Sequence, residues 1–223
     1  MGSKLAIVEE VTRNVVSFGS FPLKQARASY WTDVGGREAA LIQRCTTGDE
    51  TAYAELLAEH QRMVIQLAVN LLGDADEARD LAQDVFLRVF RTIHRFRGQS
   101  SLRTWIYRIA VNQARNRRRF WRRRHRADQV SLDAHVATHG DFPSLGLSRP
   151  DRVLAQKELA TQLEEALASL PFDQRTAIVL REVDGLSYDE IAFSLGVAVG
   201  TVKSRLTRAR QSLRLALREA RTP

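Results

Sequence analysis

Apolar residues recur at every third or fourth position along most of this 223-residue chain, and no segment shows the strict alternation of a half-buried strand. That period commits the chain to helices. From 38 to 72 it is carried by Leu41, Ile42, Cys45, Tyr53, Leu56, Leu57, Met63, Val64, Leu67 and Leu71, with Gly48-Asp49 as a turn. Behind Gly73-Asp74, a stripe of Ala78, Leu81, Val85, Val89 and Ile93 predicts a helix over 75–94. Trp105, Ile109, Ala110 and Ala114 predict another over 102–119. The pattern then fails over 127–150, where Gly140, Pro143, Gly146 and Pro150 mark a flexible linker. Beyond it, helices are expected from near Ser148 to Ser169, over 173–183, from a capping box at Ser187-Tyr188-Asp189-Glu190 to Leu195, and from Val199 toward Glu219. The fold class is all-α: an N-terminal extension 1–36, a helical domain 37–126, the linker 127–150 and a second helical domain 151–221.

Charge is distributed unevenly over this frame. The net charge is +8, yet residues 115–126 (RNRRRFWRRRHR) hold eight arginines and no acid, so the rest of the chain balances. A second basic block, 201–223, has seven basic residues and a single acid, Glu219. Two separated cationic modules favour a polyanion, and nucleic acid fits better than a membrane surface. One cysteine, Cys45, excludes an internal disulfide and a cysteine-rich zinc site. The five histidines lack ligand spacing, so neither metal nor cofactor is expected. No apolar run approaches the roughly 20 residues of a membrane span, so membrane insertion is not expected. Glu9 and Glu10 interrupt any export signal, which points to a cytoplasmic protein.

The last two helices, joined through Gly196, fit a helix-turn-helix, whose second helix enters the major groove. On a helical wheel Val202, Leu206, Ala209, Leu213 and Leu217 gather inward. The opposite side and its flanks carry Gly200, Thr201, Lys203, Ser204, Thr207, Arg208, Gln211 and Arg214. Lys203 and Arg208 suit guanine or phosphate; Ser204 and Thr207 suit base edges or a thymine methyl. Gly200 and Thr201 let the helix start approach a phosphate.

In the first domain, FRGQSSLRTWIYRIAVNQARNRRRFWRRR mixes arginines, aromatics, amides and hydroxyls, the set that holds unpaired bases. Phe96, Ser100, Ser101, Thr104, Asn112 and Asn116 are the candidates for base contact, whereas Trp105 reads chiefly as core. Arg115, Arg117, Arg118, Arg119, Arg122 and Arg123 are assigned to phosphates. The acids Asp74, Asp76, Glu77, Asp80 and Asp84 raise a magnesium-nuclease reading, but no base or nucleophile accompanies them. Asp80, Gln83, Asp84 and Arg88 beside an apolar stripe fit a protein-docking face better.

Three segments, DEARDLAQDVFLRVFRTI (76–93), FRGQSSLRTWIYRIAVNQARN (96–116) and LPFDQRTAIVLREVDGLSYDEIAFSLGVAVGTVKSRLTRAR (170–210), resemble the extracytoplasmic-function (ECF) sigma factors of the sigma-70 family, most of all the envelope-stress sigma E subgroup. The resemblance spans about 37–220 in the family's order and spacing. It implies a sigma region 2-like domain and a sigma region 4-like helix-turn-helix domain, with promoter selection and no catalysis of its own. Asp80, Gln83 and Asp84 would dock the β′ clamp helices of core RNA polymerase, with the β flap as a second polymerase contact. Phe96, Ser100, Ser101, Thr104 and Asn112 would surround a flipped base of the melted −10 element. Lys203, Ser204, Thr207 and Arg208 would read the double-stranded −35 element. An anti-sigma factor is the further partner implied, with a stress-response role. Asn116 and Thr207 depart from the family's frequent Asp and aromatic residue. The competing reading is a conventional helix-turn-helix regulator that binds its operator without polymerase.

Overall fold

A computed structural model describes residues 35–127 and 150–219, and all regular structure among them is helical. The leader, most of the linker and the expected cap at Ser148 lie outside the described residues. The first domain runs α1 (Gly35–Thr46), α2 (Glu50–Leu72), α3 (Ala75–Thr92), a 3-10 turn (Ile93–Arg95) and α4 (Leu102–Ala127). The second runs α5 (Pro150–Ser169), α6 (Phe172–Ile178), a π-helical turn (Val179–Val183), α7 (Tyr188–Leu195) and α8 (Val199–Glu219).

Local chemistry sets these limits. Asp49 and Asp74 cap α2 and α3 by accepting from the backbone N–H groups two and three residues on. Gly73 closes α2 at φ 77°, a left-handed conformation that glycine adopts without steric cost. Ser101 caps α4 by accepting from the Thr104 N–H at 3.1 Å, and Glu38, far away in sequence, accepts from the Leu102 N–H. The Ser187–Glu190 capping box opens α7 with both of its reciprocal bonds formed.

Two expectations change in detail. α4 runs past residue 119 to Ala127 because no glycine or proline interrupts the arginine block, and arginine is a good helix former. The segment expected as one helix over 173–183 is α-helical only to Ile178 and then widens into the π turn.

The stripes meet as the sequence period requires. Leu56, Leu57, Val64, Leu67 and Leu71 of α2 pack with Leu81, Val85, Phe86 and Val89 of α3 and with Ile106, Tyr107 and Val111 of α4. Each such large side chain stabilises the fold by about 1.5–3 kcal/mol on burial. Leu180, Leu186, Ile191, Leu195, Val202, Leu206 and Ala209 form the core of the second domain. The two cores are continuous, because α7 packs across α4. At this junction the Arg175 guanidinium, 7% exposed, donates to the carbonyl of Leu71 at 3.1 Å and to that of Ala168. Burial pushes its pKa down to about 10, with the positive charge of Arg118 adding to the effect, so it stays charged at neutral pH. It occupies carbonyls at the ends of α2 and α5, which have no partner within their own helices.

Candidate nucleic-acid and polymerase interfaces

The helix-turn-helix is α7, Gly196 at φ 64°, and α8. The left-handed glycine turns the chain, and Val202, Leu206 and Ala209 anchor α8 with at most 1% exposure. Gly200, Thr201, Lys203, Ser204, Thr207, Arg208, Gln211 and Arg214 are all exposed on its outer side. The hydroxyls of Ser204 and Thr207 donate to carbonyls one turn back, at 2.9 and 3.0 Å, which fixes their rotamers and leaves acceptor capacity outward. The structure therefore gathers all the α8 candidates for duplex reading on one accessible, acid-free face.

The first domain is arranged differently. Phe96 and Ser100 line a hollow of about 670 Å³ together with His94, Arg95, Arg97, Gln99, Trp105, Arg108 and Phe193. The Phe96 and Trp105 rings meet edge-on, with centroids 5.4 Å apart. Trp105 is thus half core and half wall. Ser101 is engaged as the α4 cap and shares a hydrogen bond of 2.9 Å with the Thr104 hydroxyl. Thr104 itself is 1% exposed beneath α7. Asn112 is exposed on α4, and Asn116 lies at a second hollow with Glu77, Leu81, Asp84, Gln113, Arg117, Phe120 and Trp121. The six candidate base contacts therefore do not form one pocket in this state.

The arginines assigned to phosphates also divide. Arg119 and Arg123 are exposed, and the Arg122 side chain lies outside the described residues. Arg115 pairs with Asp173 at 3.3 Å, and Arg118 lies over the Phe172 ring at 5.4 Å. Arg117 reaches across to α3, donating to the Glu77 carbonyl at 2.9 Å and pairing with its carboxylate at 3.2 Å. Its other nitrogen is 3.9 Å from both Asp80 and Asp84. Burial raises the Glu77 pKa, and the charge of Arg117 opposes that rise.

The acidic helix is committed accordingly. Asp74 caps α3, Asp76 pairs with Arg79, and Asp80 and Asp84 stay exposed beside Arg117. Among the described residues no group of three or more His, Cys, Asp or Glu side chains could hold a metal ion. Asp80, Asp84 and Arg88 are exposed and Gln83 half-buried along one side of α3, with Leu81, Val85 and Phe86 turned into the core. Among the described residues no helix is long and apolar enough to cross a membrane.

Phe193, Asp173 and Asp184 had no mark in the sequence. Each owes its place to the packing of one domain on the other, which periodicity within a helix does not report. The i,i+4 acids on α3 did flag a charged face, and its cationic member, Arg117, comes from another helix.

The sigma-70 region 2 family model matches residues 56–127, and the sigma-70 region 4 model matches 160–213. The chain is 36% identical over 181 residues to the RNA polymerase sigma-H factor of Pseudomonas aeruginosa, covering 81% of this chain and 94% of that protein. It is 38% identical over 180 residues to the ECF RNA polymerase sigma-E factor of Escherichia coli, covering 79% and 92%. Among solved structures, the sigma factor RpoE of Bartonella quintana bound to the anti-sigma factor NepR matches with TM-score 0.59 and 29% identity, over 74% of this chain and 95% of that one. CnrH in complex with the cytosolic domain of CnrY matches with TM-score 0.58 and 25% identity, over 83% and 99%. The chain belongs to the ECF sigma factors of the sigma-70 family, which are transcription initiation factors and not enzymes.

Proposed function

We propose that this sigma factor selects promoters by reading duplex −35 DNA with Gly200, Thr201, Lys203, Ser204, Thr207 and Arg208, and by holding the melted −10 strand along α4 and the loop before it. In this reading Phe96, Ser100, Ser101, Thr104, Asn112 and Asn116 serve the unpaired bases, and the arginines from 115 to 123 follow the backbone. Asp80, Gln83, Asp84 and Arg88 dock the clamp helices of core polymerase in the cytoplasm. The domains divide at 37–126 and 151–221 about the linker. The observation that carries the reading is the accessible face of α8, presented by a capped helix-turn-helix with a buried apolar side.

An anti-sigma partner and a stress-responsive role extend the proposal. They are supported by two solved relatives that are bound to other chains, one of them named an anti-sigma factor, and by the sigma-E names of other relatives. Run-off transcription with core polymerase on a genomic promoter library is the test. Start sites absent with core alone are expected. Specific operator binding by the isolated chain, with no effect on start sites, would instead indicate a conventional regulator.

A further inference from the structure

The loop between the 3-10 turn and α4 supplies Phe96 and Ser100 to the hollow of about 670 Å³. Gly98 turns this loop at φ 67°, Ser100 donates to the neighbouring Ser101 carbonyl at 3.2 Å, and Ser101 is engaged with Thr104. A helix from the start of the chain holds the loop at both ends. α1 packs against the turn Ile93–Arg95 that precedes it. At the other end the half-buried Glu38 of α1 accepts from the N–H of Leu102, the first residue of α4, 64 positions away. That amide is one of those an α-helix leaves without a partner of its own. α1 is itself firmly seated. Leu41 and Cys45 are buried in the core, Arg37 pairs with Glu59 at 2.8 Å, and Arg44 pairs with Asp49 at 2.8 Å and Glu55 at 3.0 Å.

A cap alone needs no such distant residue: Asp49 and Asp74 cap α2 and α3 from the position just before each helix. Glu38 instead ties the backbone two residues beyond Ser100 to a separate helix, and that helix carries none of the candidate DNA contacts. A carboxylate accepting from an amide makes a charge-assisted bond, roughly twice as strong as a neutral one, and it also faces the positive end of the α4 dipole. Resting on the reading of the hollow as the site of an unpaired base, we infer that Glu38 is a positioning residue for base capture. It fixes the downstream end of the loop, so that Phe96 and Ser100 keep one register at the hollow before DNA arrives. A loop that became ordered only on binding would lose part of the interaction energy to that ordering, whereas a loop already held in place does not. Glu38 thereby sharpens the reading of the melted strand without touching DNA.

The test uses holoenzyme assembled from core polymerase and the full chain, on forked templates taken from a promoter found by run-off transcription. The non-template strand of the −10 element is left unpaired, and an abasic site is placed at each of its positions in turn. The affinity for the intact fork divided by that for the abasic fork reports base capture at that position, and a general loss of folded protein does not move it. For the wild type this ratio should reach about tenfold at one position. Glu38→Ala should lower it there by about threefold or more, with binding to core polymerase and to a duplex −35 fragment unchanged. Glu38→Gln, whose amide oxygen can still accept from the Leu102 N–H, should restore most of the ratio. It also keeps the test valid if Glu38→Ala lowers stability, which thermal unfolding reports. A ratio unmoved in Glu38→Ala, with intact and abasic forks weakened equally or not at all, would make Glu38 a structural cap and overturn the inference. A wild type indifferent to abasic sites at every position would instead remove the hollow as a base site, and the inference with it.

Discussion

The outer face of α8 and the strand-facing side of α4 are made of similar residues, and the protein treats them in opposite ways. On α8 every candidate DNA contact is exposed, and the two hydroxyls bond only to their own helix. On α4, Thr104, Arg115 and Arg118 are engaged by the second domain, while Asn112, Asn116 and Arg119 stay exposed. The α8 face keeps Lys203, Arg208 and Arg214 accessible, so it can meet duplex phosphates as well as base edges. A strand-binding face carries hydroxyls, rings and arginines that would accept many polyanions, so covering it limits promiscuous binding. The contrast predicts different consequences for substitutions on the two sides.

The largest effect is expected at α8. Arg208→Ala should cost about 1–3 kcal/mol, roughly fivefold to 150-fold, at particular −35 positions and little elsewhere. Promoter variants bound to the holoenzyme are the measurement. A uniform loss over all sequences would make Arg208 a phosphate contact and would remove one side of the comparison.

Acidity should act on the covered side alone. Burial of Asp184 against Tyr107 and Arg103 raises its pKa from an ordinary 3.8 to about 6, with both neighbours opposing the rise. The raised value belongs to the arrangement in which the two domains pack together, so the protonated carboxyl favours that packing. That contribution is fully present below about pH 4 and is lost as pH rises through about 6. The other groups at this contact are Glu190, which acts on Arg103, and His60 of α2, whose pKa burial lowers to about 4, with Arg103 adding to the effect. His60 acts in the opposite sense: its depressed value disfavours the packed state as pH falls below its ordinary 6.5. In a His60→Gln background, which removes that opposing group, lowering the pH from 7 to 5 should favour the packed arrangement of the two domains, by at most about tenfold per unit, and Asp184→Asn should flatten the profile. A packed fraction, measured by the distance between spin labels on the two domains, that grows with rising pH in the His60→Gln variant would contradict this assignment.

Asn112→Ala separates the two modes of reading by a smaller amount. Loss of a hydrogen bond of about 0.5–1.5 kcal/mol, roughly twofold to tenfold, is expected in open-complex formation and not in duplex binding. Equal losses in both would remove Asn112 from the unpaired-base set.

How far the sequence reveals this molecule follows the same division. Helix positions, the capping box, the turn at Gly196 and the inward stripe of α8 are local, because a period of 3.6 residues and a few side chain-to-backbone bonds determine them. The exposed side of α8 was therefore legible residue by residue. The covered face was legible only as a composition. That Ser101 is a helix cap, that Thr104 is buried beneath α7, and that Asp173 serves two arginines depend on partners 32–90 positions distant or on close backbone geometry. The extension of α4 to Ala127 was open to helix propensity and was obscured by reading the arginine block as charge alone.

Arg117 gives the smallest effect and tests where the strand-binding side ends. Its sequence neighbours place it with the phosphate contacts, but its nitrogens face Glu77, Asp80 and Asp84 on α3, and its side chain is only 22% exposed. A guanidinium held by a carbonyl at 2.9 Å and a carboxylate at 3.2 Å contributes less to DNA than one free to follow the backbone. It also offsets the charge of Asp80 and Asp84, the acids proposed to dock polymerase. Partly solvated ion pairs of this kind contribute about 0.2–1 kcal/mol. Arg117→Ala should therefore change core binding by no more than about fivefold and leave the salt dependence of DNA binding unaltered, whereas each lost phosphate contact would lower the log–log slope by about one. Arg119→Ala, at an exposed position two residues on, is the control expected to lower that slope. Should both variants lower it equally, Arg117 belongs to the strand-binding side, and the boundary between the polymerase face and the DNA face lies on α3 and not on α4.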